Sequence, residues 1–120
     1  MQLDVKRGEM YFADLRLDAV GSEQSGYRPV LVVSNDTGNR HSPTVVVAAI
    51  TSKSKKTKLP THRMLPAFSG LEIPSVVLLE QIRTVDKCRL QTLIGTLDEI
   101  TMRGIDRAFA VSMGLTHEKE

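Results

Sequence analysis

Two runs of this sequence leave it few folds to choose from. "PVLVVSN" (29–35) and "TVVVAAIT" (44–51) are dense in valine, and neither alternates between apolar and polar residues. Valine is β-branched and favours strands. A strand that is apolar in both directions has to be covered on both faces. The eight residues between them, "DTGNRHSP" (36–43), carry the Gly, Asn, Ser and Pro expected of a loop. A chain of 120 residues has room for one domain, 1–120, and one such core.

The flanking segments extend the β structure. "EMYFADL" (9–15), after the break at Gly8, reads as a first strand. "SVVLLEQIRTVD" (75–86) reads as one long strand or two short ones, with a bend near Glu80 to Ile82. Pro60, Pro66, Gly70 and Pro74 interrupt the chain before it. The β region therefore spans about 5–86. The tail "LDEITMRGIDRAFAVSMGL" (97–115) changes period: Ile105, Phe109 and Met113 recur every four residues, widened by Met102 and Ala108. Asp98 is a natural N-cap, and Leu97 is placed to staple against Met102. Gly104 weakens the helix by about 1 kcal/mol without overturning it. The expected fold is mainly β, with a C-terminal helix over about 98–115.

Several function classes drop out. Aromatic residues make up only 4% and there is no tryptophan, so the chain lacks a platform for stacking several bases at once. His41, His62, His117 and Cys88 show no metal-ligand spacing, and no metal or other cofactor is expected. Cys88 lies between Lys87 and Arg89, which would lower its pKa, but no histidine is near in sequence. Gly21 and Gly26 lack the lysine and serine of a phosphate loop. A single cysteine excludes an intrachain disulfide and fits a reducing cytoplasm. No leader and no apolar run near 18 residues is apparent, so a soluble cytoplasmic protein without membrane contact is expected.

Polar residues at strand ends remain. Arg28 stands where "GSEQSGY" (21–27) gives way to "PVLVV", and Pro29 biases it toward extended backbone. The pattern-free stretch from Arg16 to Tyr27 is long for so small a domain, and such loops often carry function. Thr51 closes "VVVAAIT" where the basic run "TSKSKKTKLPTHR" (51–63) begins, with Lys53, Lys55, Lys56, Lys58 and Arg63 and no acid. That run is either a solvated loop or a phosphate-attracting edge. By spacing alone Arg28 is better explained by an ion pair with an acid such as Glu23, and Thr51 by an ordinary strand end.

Five segments taken together go further. "VKRGEMYFADL", "GSEQSGYRPVLVVSND", "GNRHSPTVVVAAIT", "KLPTHR" and "SVVLLEQIRTVDK" closely resemble, in order and spacing, the MazF/PemK-type toxins of bacterial toxin–antitoxin systems. The resemblance spans roughly 5 to 115. It implies a small SH3-like barrel of the MazF/PemK/CcdB type, assembled as a homodimer. It implies a sequence-specific, metal-independent endoribonuclease that cuts single-stranded RNA to 2′,3′-cyclic phosphate and 5′-hydroxyl ends. It also implies a cognate MazE-type antitoxin that covers the RNA groove. The family's catalytic arginine and threonine fall on Arg28 and Thr51, and Ser22 to Gln24 match the loop beside the site. Ser75 and Gln81 match positions that read RNA bases. The segment 64–74, "MLPAFSGLEIP", departs from the family and is shorter and less charged, which bears on the sequence that is cut.

The implied chemistry suits these residues. The RNA's own 2′-hydroxyl is the nucleophile, so the protein has to align the linkage, move protons and stabilise charge. A guanidinium can hold two phosphate oxygens, which assigns Arg28 to charge stabilisation and proton delivery rather than to base catalysis. Thr51 would place a hydroxyl on a phosphate oxygen, and Glu23 is the candidate base. Ser22, Gln24, Lys53, Lys56, Ser75 and Gln81 would contact the RNA. Two other readings share the fold: a barrel that binds RNA or protein without cutting, and a toxin that poisons gyrase.

Overall fold

A computed structural model describes residues 4–15, 26–52, 59–66 and 69–116. The elements in chain order are β1 (Glu9–Asp14), β2 (Tyr27–Val32), α1 (Asp36–His41), β3 (Thr44–Thr51), β4 (His62–Met64), β5 (Val76–Asp86), β6 (Leu90–Thr96) and α2 (Glu99–Ser112). All six strands join one antiparallel sheet in the order β4-β5-β3-β2-β1-β6.

The valine-rich strands β2 and β3 occupy the interior of that sheet and are covered on both faces, as their composition demands. Along β2, Val30 and Val32 enter a cluster with Tyr11, Ala13, Val45, Val47 and Val85. Leu31 and Val33 point the other way, into a second cluster with Met10, Ala48, Ile50, Leu79 and Ile105. Alternate residues of one strand thus supply two cores. Helix α2 caps the second core through Met102, Ile105 and Ala108. Leu97 is buried in the same cluster as Met102, so the expected staple forms.

Three expectations need correcting. "DTGNRH" is a short helix, α1, and not a loop. Asn35 caps it by accepting from the Gly38 amide at 2.7 Å, Asp36 lies in its first turn, and Arg40 and His41 lie in its last. Buried Asn39 ties it down by donating through Nδ2 to the Ser34 carbonyl at 2.9 Å. The β structure does not end near 86 either. A 3-10 turn (Lys87–Arg89) leads into β6, which pairs along β1. Only Leu90 of β6 is fully buried, so this edge strand carries no apolar signature. Finally, α2 stops at Ser112, with Gly114 at φ +73°, and Met113 is half exposed instead of extending the apolar stripe.

β5 is one strand of 11 residues with the expected irregularity inside it. Ala48 pairs with Ile82 and Ala49 with Leu78, which leaves residues 79–81 as an insertion in the ladder. Arg7 fastens the N-terminal side to both helices: its amide donates to Asp36 at 2.7 Å, and its guanidinium pairs with Asp106.

The cap of α2 yields a pH test. Asp98 accepts from the Thr101 amide at 2.8 Å, and hydrogen bonds from Thr101, side chain first and backbone second, hold its carboxyl below the ordinary aspartate value. A depressed folded-state pKa means stability that is present above the unfolded value and lost as pH falls through the folded one. Asp98→Ala should lower the melting temperature by several degrees at pH 7. That gap to the native chain should close progressively below about pH 4, the ordinary aspartate range.

Candidate active site

The β2–β3 register brings the two singled-out residues together. Val30 faces Ala49, Leu31 faces Ala48 and Val32 faces Val47. The ladder ends at the Val30–Ala49 pair, two residues short of both Arg28 and Thr51, which lie at neighbouring strand ends. On their outer sides Arg28 pairs with Ala13 of β1, and Thr51 with Val76 of β5. Both are half-buried. They open into a cleft of about 420 Å³ whose lining also includes Phe12, Pro29, Ile50, Ser52 and Ser75.

The far wall is the loop 69–75, which contributes Gly70, Leu71, Glu72 and Ile73, and β6 contributes Ile94. Two glycines let that loop lie hard against β6. Gly95 is so close that a β-carbon there would sit 2.9 Å from the Ser69 carbonyl oxygen. Gly70, at φ +103°, would bring one within 3.0 Å of the Ile94 carbonyl oxygen. Ser75 is buried in the wall, and its hydroxyl donates to the Ile73 carbonyl at 2.8 Å, tightening the turn.

The sequence-derived residues therefore separate into three groups. Arg28, Thr51 and Ser75 share the cleft. Gln81 lies in the β5 insertion, half-buried and away from the described lining. Ser22, Glu23, Gln24, Lys53 and Lys56 lie outside the described residues, as does the Arg28–Glu23 ion pair. Arg63, at the end of the basic run, lies over Gly104 of α2, where a β-carbon would collide with its guanidinium. That contact engages Arg63 with the helix at the mid-helix glycine. Phe12, Glu72 and Ile73 escaped the sequence reading, because an exposed residue in a strand or loop carries no periodic signal.

The remaining candidates are quiet. Among the described residues no three His, Cys, Asp or Glu side chains come together as a metal-holding group. Cys88 is exposed, and its thiol is pushed up, not down: the Asp86 hydrogen bond outweighs the lowering effect of Arg89.

Residues 6–113 match the family of PemK-like, MazF-like toxins of type II toxin–antitoxin systems. The chain belongs to this family. It is 56% identical over 112 residues to the protein named endoribonuclease EndoA of Bacillus subtilis (strain 168), covering 92% of this chain and 96% of that one. Its fold superposes on an endoribonuclease from mycobacterial species with a TM-score of 0.80 at 27% identity, covering 98% of this chain and 99% of the other. A mycobacterial endoribonuclease in complex with its cognate antitoxin gives 0.79 at 29% identity, covering 95% and 99%. The superposition spans the six-stranded antiparallel sheet and C-terminal helix seen here.

The tight loop–strand contact is open to test. Gly95→Ala should cost about 1–3 kcal/mol, as overpacking does, because the neighbour is a backbone carbonyl that cannot swing aside. Gly38→Ala, whose β-carbon would meet nothing nearer than 3.5 Å, should be neutral or stabilising. Equilibrium denaturation of both variants measures the contrast.

Proposed function

We propose that this toxin cuts single-stranded RNA at the mouth of the cleft, with Arg28 and Thr51 as its catalytic residues. The chain is an endoribonuclease toxin of the PemK/MazF family. The observation that supports the residue assignment is the shared cleft, which Arg28 and Thr51 both line at the ends of two neighbouring core strands.

The reaction is a transesterification. The RNA's 2′-oxygen loses its proton and attacks the adjacent phosphorus, forming the 2′,3′-cyclic phosphate, and the 5′-oxygen leaves with a proton. Negative charge grows on the non-bridging oxygens. Arg28 holds two of them with its planar fork, its positive charge stabilises the transition state, and it delivers the proton that the departing 5′-oxygen takes, regaining one from solvent. Thr51 donates its hydroxyl to a phosphate oxygen and fixes the in-line geometry. Glu23 takes the 2′-proton in this reading. Lys53 and Lys56 steer the backbone, while Ser22, Gln24, Ser75 and Gln81 contact bases and sugar. No metal ion is required for these steps.

The toxin pairs with a cognate antitoxin of MazE type, which silences it by covering the same groove. We place the toxin in the cytoplasm as a homodimer. Among the described residues no helix is long and apolar enough to cross a membrane.

A digest of long mixed-sequence RNA tests the chemistry. Discrete cuts that persist in EDTA and leave 5′-hydroxyl and cyclic-phosphate ends are expected. Arg28→Ala should lower the rate by about 10²–10³ or more, the usual loss when one preorganised charge is removed, with an unchanged circular-dichroism spectrum. Arg28→Lys should recover little, since an ammonium cannot span two oxygens. Cleavage by Arg28→Ala at a rate near the native one overturns the assignment. Light scattering checks the assembly: twice the chain mass of 13.3 kDa is expected at micromolar concentration.

A further inference from the structure

The chemistry just described uses one side of the cleft and leaves the other unexplained. Nothing in phosphate transfer needs an aromatic ring, yet Phe12 lines the cleft with 40% of its surface exposed. It pairs with Pro29 on β2 while its neighbour Ala13 pairs with Arg28, so the ring is anchored one residue from the arginine's partner. Ile73 adds an apolar surface 59% exposed, and Leu71 and Ile94, packed on the core, complete an apolar lining. The volume, about 420 Å³, suits a small planar ligand. Because Arg28 shares the same cleft, whatever occupies this surface is joined to the phosphate that Arg28 holds.

Glu72 is the second anomaly. It is the acidic residue among the described lining of a site meant for a polyanion. An ionised carboxylate only accepts hydrogen bonds, so it repels phosphate and rewards a donor. Adenine, cytosine and guanine offer exocyclic amino groups. Uracil offers one ring N–H flanked by two carbonyl oxygens, which a carboxylate opposes.

We infer that Phe12, Leu71 and Ile73 form a pocket for a nucleobase flanking the scissile phosphate, and that Glu72 at its rim accepts from that base's amino group and rejects uracil. The inference rests on the ribonuclease reading and adds the residues that select the base. Single-stranded RNA is recognised by stacking splayed bases on aromatic rings and reading their edges, and this lining supplies one ring and one acceptor beside the cut.

The test begins once the cut motif has been mapped on long RNA. A short oligoribonucleotide carrying the motif is made with each flanking base replaced in turn by an abasic residue that keeps its 2′-hydroxyl. One of the two substrates should lose about tenfold to a hundredfold in kcat/KM, as removal of a base–aromatic stack does. Phe12→Ala should lose a similar factor on the intact oligonucleotide and little more on that abasic one. Glu72→Gln, which can both accept and donate, should shrink the preference for an amino-bearing base over uracil at that position about tenfold. Melting temperatures report whether each variant folds. If Phe12→Ala does not, the abasic series with the native toxin decides.

Native toxin that cuts long RNA but treats both abasic substrates like the intact one leaves the ribonuclease reading standing and overturns the pocket. A toxin that cuts no RNA overturns both. Loss of self-association or of antitoxin binding in Phe12→Ala at unchanged kcat/KM would assign this face to a second copy or to the antitoxin and sink the inference. A mapped motif with uracil on both sides of the break removes the role given to Glu72.

Discussion

The pairing of β2 with β3 is the constraint from which the rest of the molecule follows. Side chains on a strand alternate between faces, so a slip of one residue would exchange the contents of the two cores. Val30 and Val32 would leave the cluster around Tyr11 and Val47, and Leu31 would leave the one around Met10 and Ile105. Neither cavity is shaped for the other set. Apolar burial on both faces therefore locks the register twice over, and the locked strands carry Arg28 and Thr51 to one cleft. The backbone positions of Arg28 and Thr51 are thus inherited from core packing.

The cleft exists because that packing runs out at one end of the two strands. Ile50, 1% exposed, is both a core residue and part of the cleft lining. Beyond it the sheet is bounded by the loop 69–75, drawn against β6 by the contacts at Gly70 and Gly95. The far wall is thus tied to β6, which is tied to β1, which carries Phe12. Both sides of the cleft hang from the same sheet.

Much of this was legible in the sequence where burial leaves a pattern. The valine runs announced doubly covered strands, and Asp98, Leu97 and the four-residue stripe announced α2. The polar residues Arg28 and Thr51 stood out because they end apolar runs. What was hidden lacked such a pattern. β6 is an edge strand with one fully buried residue, so its hydropathy resembles a loop. Residues 36–41 carry loop-like composition, and only the Asn35 cap and the buried Asn39 make them helical. Gly104 read as a defect because Arg63, its partner, lies 41 residues away in sequence. Phe12 and Glu72 reach the cleft through tertiary placement alone.

The proposed division of the cleft bears on how such a toxin would change its target. Arg28 and Thr51 sit on interior strands, where a shift in backbone would disturb two cores at once. Glu72 and Ile73 sit on a connecting loop with much of their surface exposed, so replacing them removes little buried area. Substitutions at Glu72 and Ile73 are therefore cheap in stability, whereas changes that move the backbone of β2 or β3 are not. Segment 70–73 supplies most of this far wall. With the roles proposed above, a cutting pair on interior strands and a base-reading wall on an exposed loop would let one fold keep its reaction while its recognition sequence drifts.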